Sequence, residues 1–220
     1  MSLRVFIRTL WLGLALSCAL VKGAAADEIS FIRDAEIEGM ILTWWTPILR
    51  AAGLDRQAVH IYLVNDPSLN SFVAGGQNLF LNTGTLLRSE SPNQLIGIMA
   101  HESGHIAGGH LARSEEAMRN ASIESIIGMV VGAAAAVASH GSAAGGAAIQ
   151  SGADVGMRSY LAFSVVQEAS ADQAAMKFLD RTHQSARGLL QFFEILEQEE
   201  MLSGQHEDPY LRTHPLTTQR

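Results

Sequence analysis

Five consecutive residues, His101-Glu102-Ser103-Gly104-His105, combine the side chains needed to hold and use a metal ion. On an α-helix, positions i and i+4 share a face, so His101 and His105 can present two imidazoles to one cation. Glu102 is turned about 100° from His101, which lets it reach a water on that cation rather than the cation itself. A catalytic zinc needs a third protein ligand and an open position for water. Glu168-Ala169-Ser170-Ala171-Asp172 supplies a candidate. Glu168 is placed to be the third ligand. Asp172, one turn on, can accept the free imidazole N–H of a histidine ligand and fix its tautomer. One Zn2+ per chain is the expectation. Either motif alone also fits a simpler reading, solvated histidines or a surface Glu/Asp pair; the two together argue against it. His110, beside Gly108-Gly109, reads as a surface residue or as one standing behind the ligands.

These residues need elements to position them. The histidines fall in a predicted helix from Gln94 to Arg113, started by Ser91-Pro92-Asn93 and buried through Leu95, Ile96, Ile98 and Met99. Gly104 is acceptable inside it if a neighbouring backbone packs closely there. Residues 158–180 form the helix carrying Glu168, and small Ala169, Ser170 and Ala171 let it lie near the first. A further helix is expected over 185–202, amphipathic through Leu189, Leu190, Phe193 and Leu196. Residues 28–52 show helical spacing of apolar positions, with Pro47 expected to kink or restart the helix, Gly53 to stop it, and Trp44 and Trp45 in the core. Strands are predicted at 60–64, 71–74 and 78–82, separated by turns, with a helical turn near 85–88. The fold class is α+β: a mainly helical domain with a small three- or four-stranded sheet beside the histidine helix, antiparallel or mixed.

Two apolar stretches remain. Residues 1–26 begin with Arg4 and Arg8, run uncharged from Leu10 to Val21 and end in Ala24-Ala25-Ala26. This pattern is an export signal, too short for a bilayer span, with an uncleaved anchor as the alternative. Its loss leaves 12 basic residues against 22 acidic ones, net −10 instead of the −7 of the 220-residue chain, and removes Cys18, the only cysteine. A cysteine nucleophile and a disulfide are thereby excluded, and no nucleic acid is expected as a partner. The chain is therefore expected to be exported. The second stretch, residues 125–153, holds no Asp, Glu, Lys or Arg and is rich in Ala and Gly. It reads as an insertion between the ligand helices: a hairpin, lid or peripheral membrane contact rather than a span.

His101–His105 followed by Glu168–Asp172 resembles the gluzincin metallopeptidases of the HtpX-like and BepA-like family. The resemblance extends to Asn70–Gly76, to Leu81-Asn82-Thr83-Gly84 and to Thr213-His214-Pro215, and covers residues 28–220. It implies zinc held by His101, His105 and Glu168, with Glu102 as general base. It also implies a position for His214 near the metal, where it either stabilises the oxyanion or occludes the site. Domain organisation follows as a signal peptide over 1–26 and a metallopeptidase domain over 27–220; the helical repeat domain usual in BepA-like proteins is not within these 220 residues, which are either a short single-domain member or part of a longer protein. Ser71, Phe72, Val73 and Ala74 form a candidate edge strand to which an extended, unfolded protein or peptide could add. The expected function is an exported zinc endopeptidase clearing unfolded or misassembled envelope proteins. Contact with outer-membrane assembly machinery is implied by the resemblance alone. The alternatives are a zinc-binding chaperone-like or latent module closed by His214, and a membrane-associated structural protein whose histidines bind nothing.

Overall fold

The computed structural model describes residues 29–138, 143–203 and 214. The expected signal over 1–26 and all of the tail except His214 lie outside the described residues.

The chain starts with β1 (Phe31–Ile32), where helical spacing had suggested that a helix was already under way. Pairing decides the matter: Phe31 and Ile32 lie antiparallel to Val64 and Leu63 of β2 (His60–Val64). Helix α1 (Ala35–Ala52) begins only at Asp34, whose carboxylate accepts from the Glu36 and Ile37 amides, each at 3.0 Å. It ends on Gly53, as expected. Pro47 does not restart it. The ring is exposed and removes one amide donor, while Ile41, Trp45, Ile48 and Leu49 on the opposite face are buried in the core and hold the helix.

Strands β3 (Ser71–Ala74) and β4 (Asn78–Asn82) occupy the ranges expected, and the sheet order is β1-β2-β4-β3. Pairing is mixed, parallel between β2 and β4 and antiparallel elsewhere. β3 is therefore an outer strand. Its approach is clamped by the segment that follows β4. Thr83 Oγ1 donates to the Asp66 carbonyl at 2.8 Å, Asn82 Nδ2 donates to Ser68 Oγ at 3.0 Å, and the Asn70 amide donates to Thr85 Oγ1 at 2.8 Å. The turn expected near 85–88 is helix α2 (Thr83–Arg88).

Helix α3 (Pro92–Gly108) carries the histidine motif and is buried from Gly97 to His105. The single helix expected up to Arg113 is in fact two. Gly109, at φ 63°, closes α3, and α4 (His110–Ala138) starts at the next residue. Helix α5 (Ala143–Arg181) starts 15 residues before the expected 158 and carries Glu168 and Asp172. Helices α4 and α5 pack along one another, with Gly156 set against Ala121 and Ser125. The described residues of the insertion, 125–138 and 143–153, thus belong to two long helices, and among the described residues no helix is long and apolar enough to cross a membrane. Helix α6 (Arg187–Ser203) buries Leu189, Phe192 and Leu196 and turns Leu190 outward. The core gathers α1, the inner sheet face, α3, α5 and α6.

Candidate metal centre and active site

His101 and His105 are one turn apart on α3, both buried, with their Nε2 atoms 3.1 Å from each other. Glu168 reaches them from α5, its two oxygens 3.3 Å from His101 Nε2 and 3.3 Å from His105 Nε2. His214 enters the same space, with Nδ1 3.1 Å from each Glu168 oxygen and 3.4 Å from His101 Nε2. One ligand atom from each of the four residues lies within 4.8 Å of all the others. The helices come this close because position 104 has no side chain: a Cβ there would lie 2.7 Å from the Ala171 carbonyl oxygen.

The donor set fits a divalent cation. His214 Nε2 lies 3.2 Å from the Ser71 carbonyl and donates to it, which leaves Nδ1 of a neutral ring as a lone pair facing carboxylate oxygens. His101 and His105 likewise set nitrogen against nitrogen. Such a convergence of ring nitrogens and carboxylate oxygens is resolved by shared protons or by a metal cation, and three imidazoles with one carboxylate suit a borderline metal such as zinc. His101 Nδ1 is 2.9 Å from Asp172 Oδ1.

The electrostatics follow from burial and pairing. For His101, burial opposes the charged ring, but hydrogen bonds with Asp172 and Glu168 outweigh it and raise its pKa to about 9 in the metal-free protein. His105, buried without a second carboxylate behind it, is lowered to about 3. Burial pushes Glu168 upward, yet its bonds with the three histidines hold it well below the usual carboxylate range. Glu102 goes the other way: burial raises its pKa, and the neighbouring His214 and His101 only partly offset that.

Glu102 is fully buried, with Oε1 accepting from Ser71 Oγ at 3.1 Å. Its Oε2 has no hydrogen-bond partner among the described residues. Ser71 was expected only as part of an edge strand. In β3, Ser71 and Val73 are buried while Phe72 and Ala74 are half-buried, and Phe72 stacks on Phe80 at 5.0 Å. A serine on the buried side of a short strand was the available signal. Trp45 is core as expected, but its Nε1 also donates to Ser103 Oγ at 2.8 Å, tying α1 to the motif itself. His110 is buried rather than on the surface, with Nδ1 3.1 Å from His105 Nδ1. An unbroken helix would have carried it away from that ring; the turn at Gly109 brings it back.

Residues 33–220 match Peptidase family M48. The beta-barrel assembly-enhancing protease of Escherichia coli O157:H7 is 31% identical over 165 residues, which are 73% of this chain and 32% of that protein. The protein of the same name from Escherichia coli K12 is 30% identical over 162 residues, 73% and 32% of the two chains. That from Yersinia pestis is 27% identical over 191 residues, 86% and 38%. The chain spans about a third of the length of these curated relatives. A match across nearly the whole described region, falling on a buried His/His/Glu group with a glutamate beside it, gives the conclusion that the chain belongs to peptidase family M48, a family of metallopeptidases.

Proposed function

We propose that residues 27–220 are a zinc-dependent endopeptidase domain, exported to the periplasm by residues 1–26 and acting on unfolded or misassembled envelope proteins. One observation carries the reading: His101, His105 and Glu168 converge within 4.8 Å beside a buried Glu102 whose Oε2 is unpaired among the described residues. His101, His105 and Glu168 would hold the zinc, which when bound polarises a scissile carbonyl and lowers the pKa of a water. Glu102 accepts a proton from the attacking water at Oε2 and returns it to the leaving amine. Burial helps, because a carboxyl with a raised pKa takes and releases a proton nearer neutral pH. Ser71 occupies Oε1 and keeps Oε2 available. An extended chain added to β3 would be held through its backbone, which suits unfolded substrates of varied sequence. Relatives named for β-barrel assembly support outer-membrane assembly as the setting. The exposed apolar side of the α4–α5 pair supports peripheral membrane contact. The test is cleavage of an unfolded protein before chelation, after chelation, and after zinc is restored. Loss and recovery are expected; cleavage indifferent to the chelator contradicts the reading.

A second reading is favoured by His214. Its Nδ1 stands among the ligand atoms, and its Nε2 takes the Ser71 carbonyl, a backbone acceptor on the strand that substrate would join. This geometry suits a closed, latent protease or a chaperone-like module better than an oxyanion donor. His214→Ala separates the two roles: faster cleavage marks closure, slower cleavage marks stabilisation of the oxyanion.

A further inference from the structure

The two imidazoles of the His101–His105 pair are supported differently. Behind His101 stands the Asp172 carboxylate, 2.9 Å from Nδ1. Behind His105 stands another imidazole. His110 is 2% exposed and meets His105 edge-on, with ring centroids 4.9 Å apart and planes at 89°. The contact is Nδ1 to Nδ1 at 3.1 Å, and one of the two nitrogens must carry the proton.

Geometry decides which one. Nε2 of His105 points inward, 3.1 Å from His101 Nε2 and 3.3 Å from Glu168. A neutral ring that offers a lone pair at Nε2 carries its proton at Nδ1, and that proton needs an acceptor in a buried place. His110 Nδ1 is the atom within reach. His110 then keeps its own proton at Nε2, which is buried with no hydrogen-bond partner among the described residues and packs against Gly108. An unsatisfied buried N–H is a cost that asks for a compensating role.

We propose that His110 is a positioning residue: it accepts the Nδ1 proton of His105, fixes that tautomer and ring orientation, and so strengthens metal binding through His105 Nε2. A neutral acceptor serves here where a carboxylate serves His101, because Glu102, Glu168 and Asp172 already bring three acidic groups to the site. The inference rests on His105 being a metal ligand.

The test is the zinc dissociation constant, measured by competition with a chromophoric chelator. His110→Phe fills the space without an acceptor and is expected to weaken zinc binding by about 10- to 100-fold. His110→Asn, whose Oδ1 can replace Nδ1, is expected to remain within about threefold of wild type. Equal affinity of His110→Phe and wild type overturns the proposal. His105→Ala is measured beside them. If it binds zinc like wild type, the ligand assignment fails; if it loses zinc while His110→Phe does not, only the role of His110 fails. Folding of each variant is checked by circular dichroism. A readout independent of any variant is NMR of the zinc-loaded wild type, where a scalar coupling between the Nδ1 atoms of His105 and His110, with the proton on His105, is expected. A proton on His105 Nε2, or none on its Nδ1, overturns the proposal.

Discussion

His101 sits between two carboxylates, Asp172 at Nδ1 and Glu168 at Nε2, and in the metal-free protein it keeps both of its protons up to about pH 9. On the proposed ligand set, zinc would have to displace the one on Nε2. Below pH 9 the apparent zinc affinity is therefore expected to rise about tenfold per pH unit, with close to one proton released per ion from this ring. Calorimetry in two buffers of different ionisation enthalpy measures that release; a pH-independent affinity contradicts it. The metal-free protein runs the opposite way. Its His101 pKa is raised above the ordinary 6.5, so the stability this ring contributes is whole below that pH and is lost as pH rises through about 9. At this scale the sequence was largely legible. His101, Glu102 and His105 fall within one stretch of α3, and Glu168 and Asp172 one turn apart on α5, as helical spacing placed them. What spacing could not show is contact between distant segments. Ser71 meets Glu102 across 31 positions and Trp45 meets Ser103 across 58, and no local period encodes either.

Helices α3 and α5 set the site because they approach to backbone contact at Gly104 and Ala171. Replacing a helical glycine with alanine is ordinarily stabilising by about 1 kcal/mol. Gly39 in α1, with open space around it, is expected to follow that rule. Gly104→Ala is expected to reverse it, since its Cβ would lie 2.7 Å from one backbone oxygen and 2.9 Å from a backbone carbon. Forcing the helices apart costs about 1–3 kcal/mol and also loosens Glu168 from the histidines. Denaturant unfolding of both variants, with zinc titration of the second, checks the pair; stabilisation by Gly104→Ala contradicts this packing. Element types followed from sequence better than element ends did. The three strands occupy their expected residues because strand-breaking residues, Pro67, Gly75-Gly76 and Gly84 among them, lie between or just beyond them. The expected first helix overran β1, whose strand state depends on pairing with β2. The helix after the histidines was expected to run on because its apolar spacing continues; only the left-handed Gly109 breaks it.

For the whole molecule, the long α4–α5 pair projects an apolar surface. Ile126, Ile127, Val130 and Val131 are 56–64% exposed, and the chain carries no charged residue from 125 to 153. Composition pointed to an apolar insertion, but its scattered glycines concealed the helices, which alanine favours and which pack on each other. If this surface meets lipid, flotation with vesicles is expected to recover the protein, and changing these four residues to serine is expected to reduce recovery at least tenfold while zinc content stays the same. Unchanged flotation, or none by the wild type, contradicts membrane contact and leaves the chemistry untouched. The proposed chemistry depends on separating the groups that hold the metal from the one that moves the proton. The most direct measurement is the cleavage rate of an unfolded protein by Glu102→Gln loaded with one zinc per chain. The expected result is wild-type zinc content with cleavage reduced by at least about a hundredfold; cleavage at the wild-type rate would contradict the account.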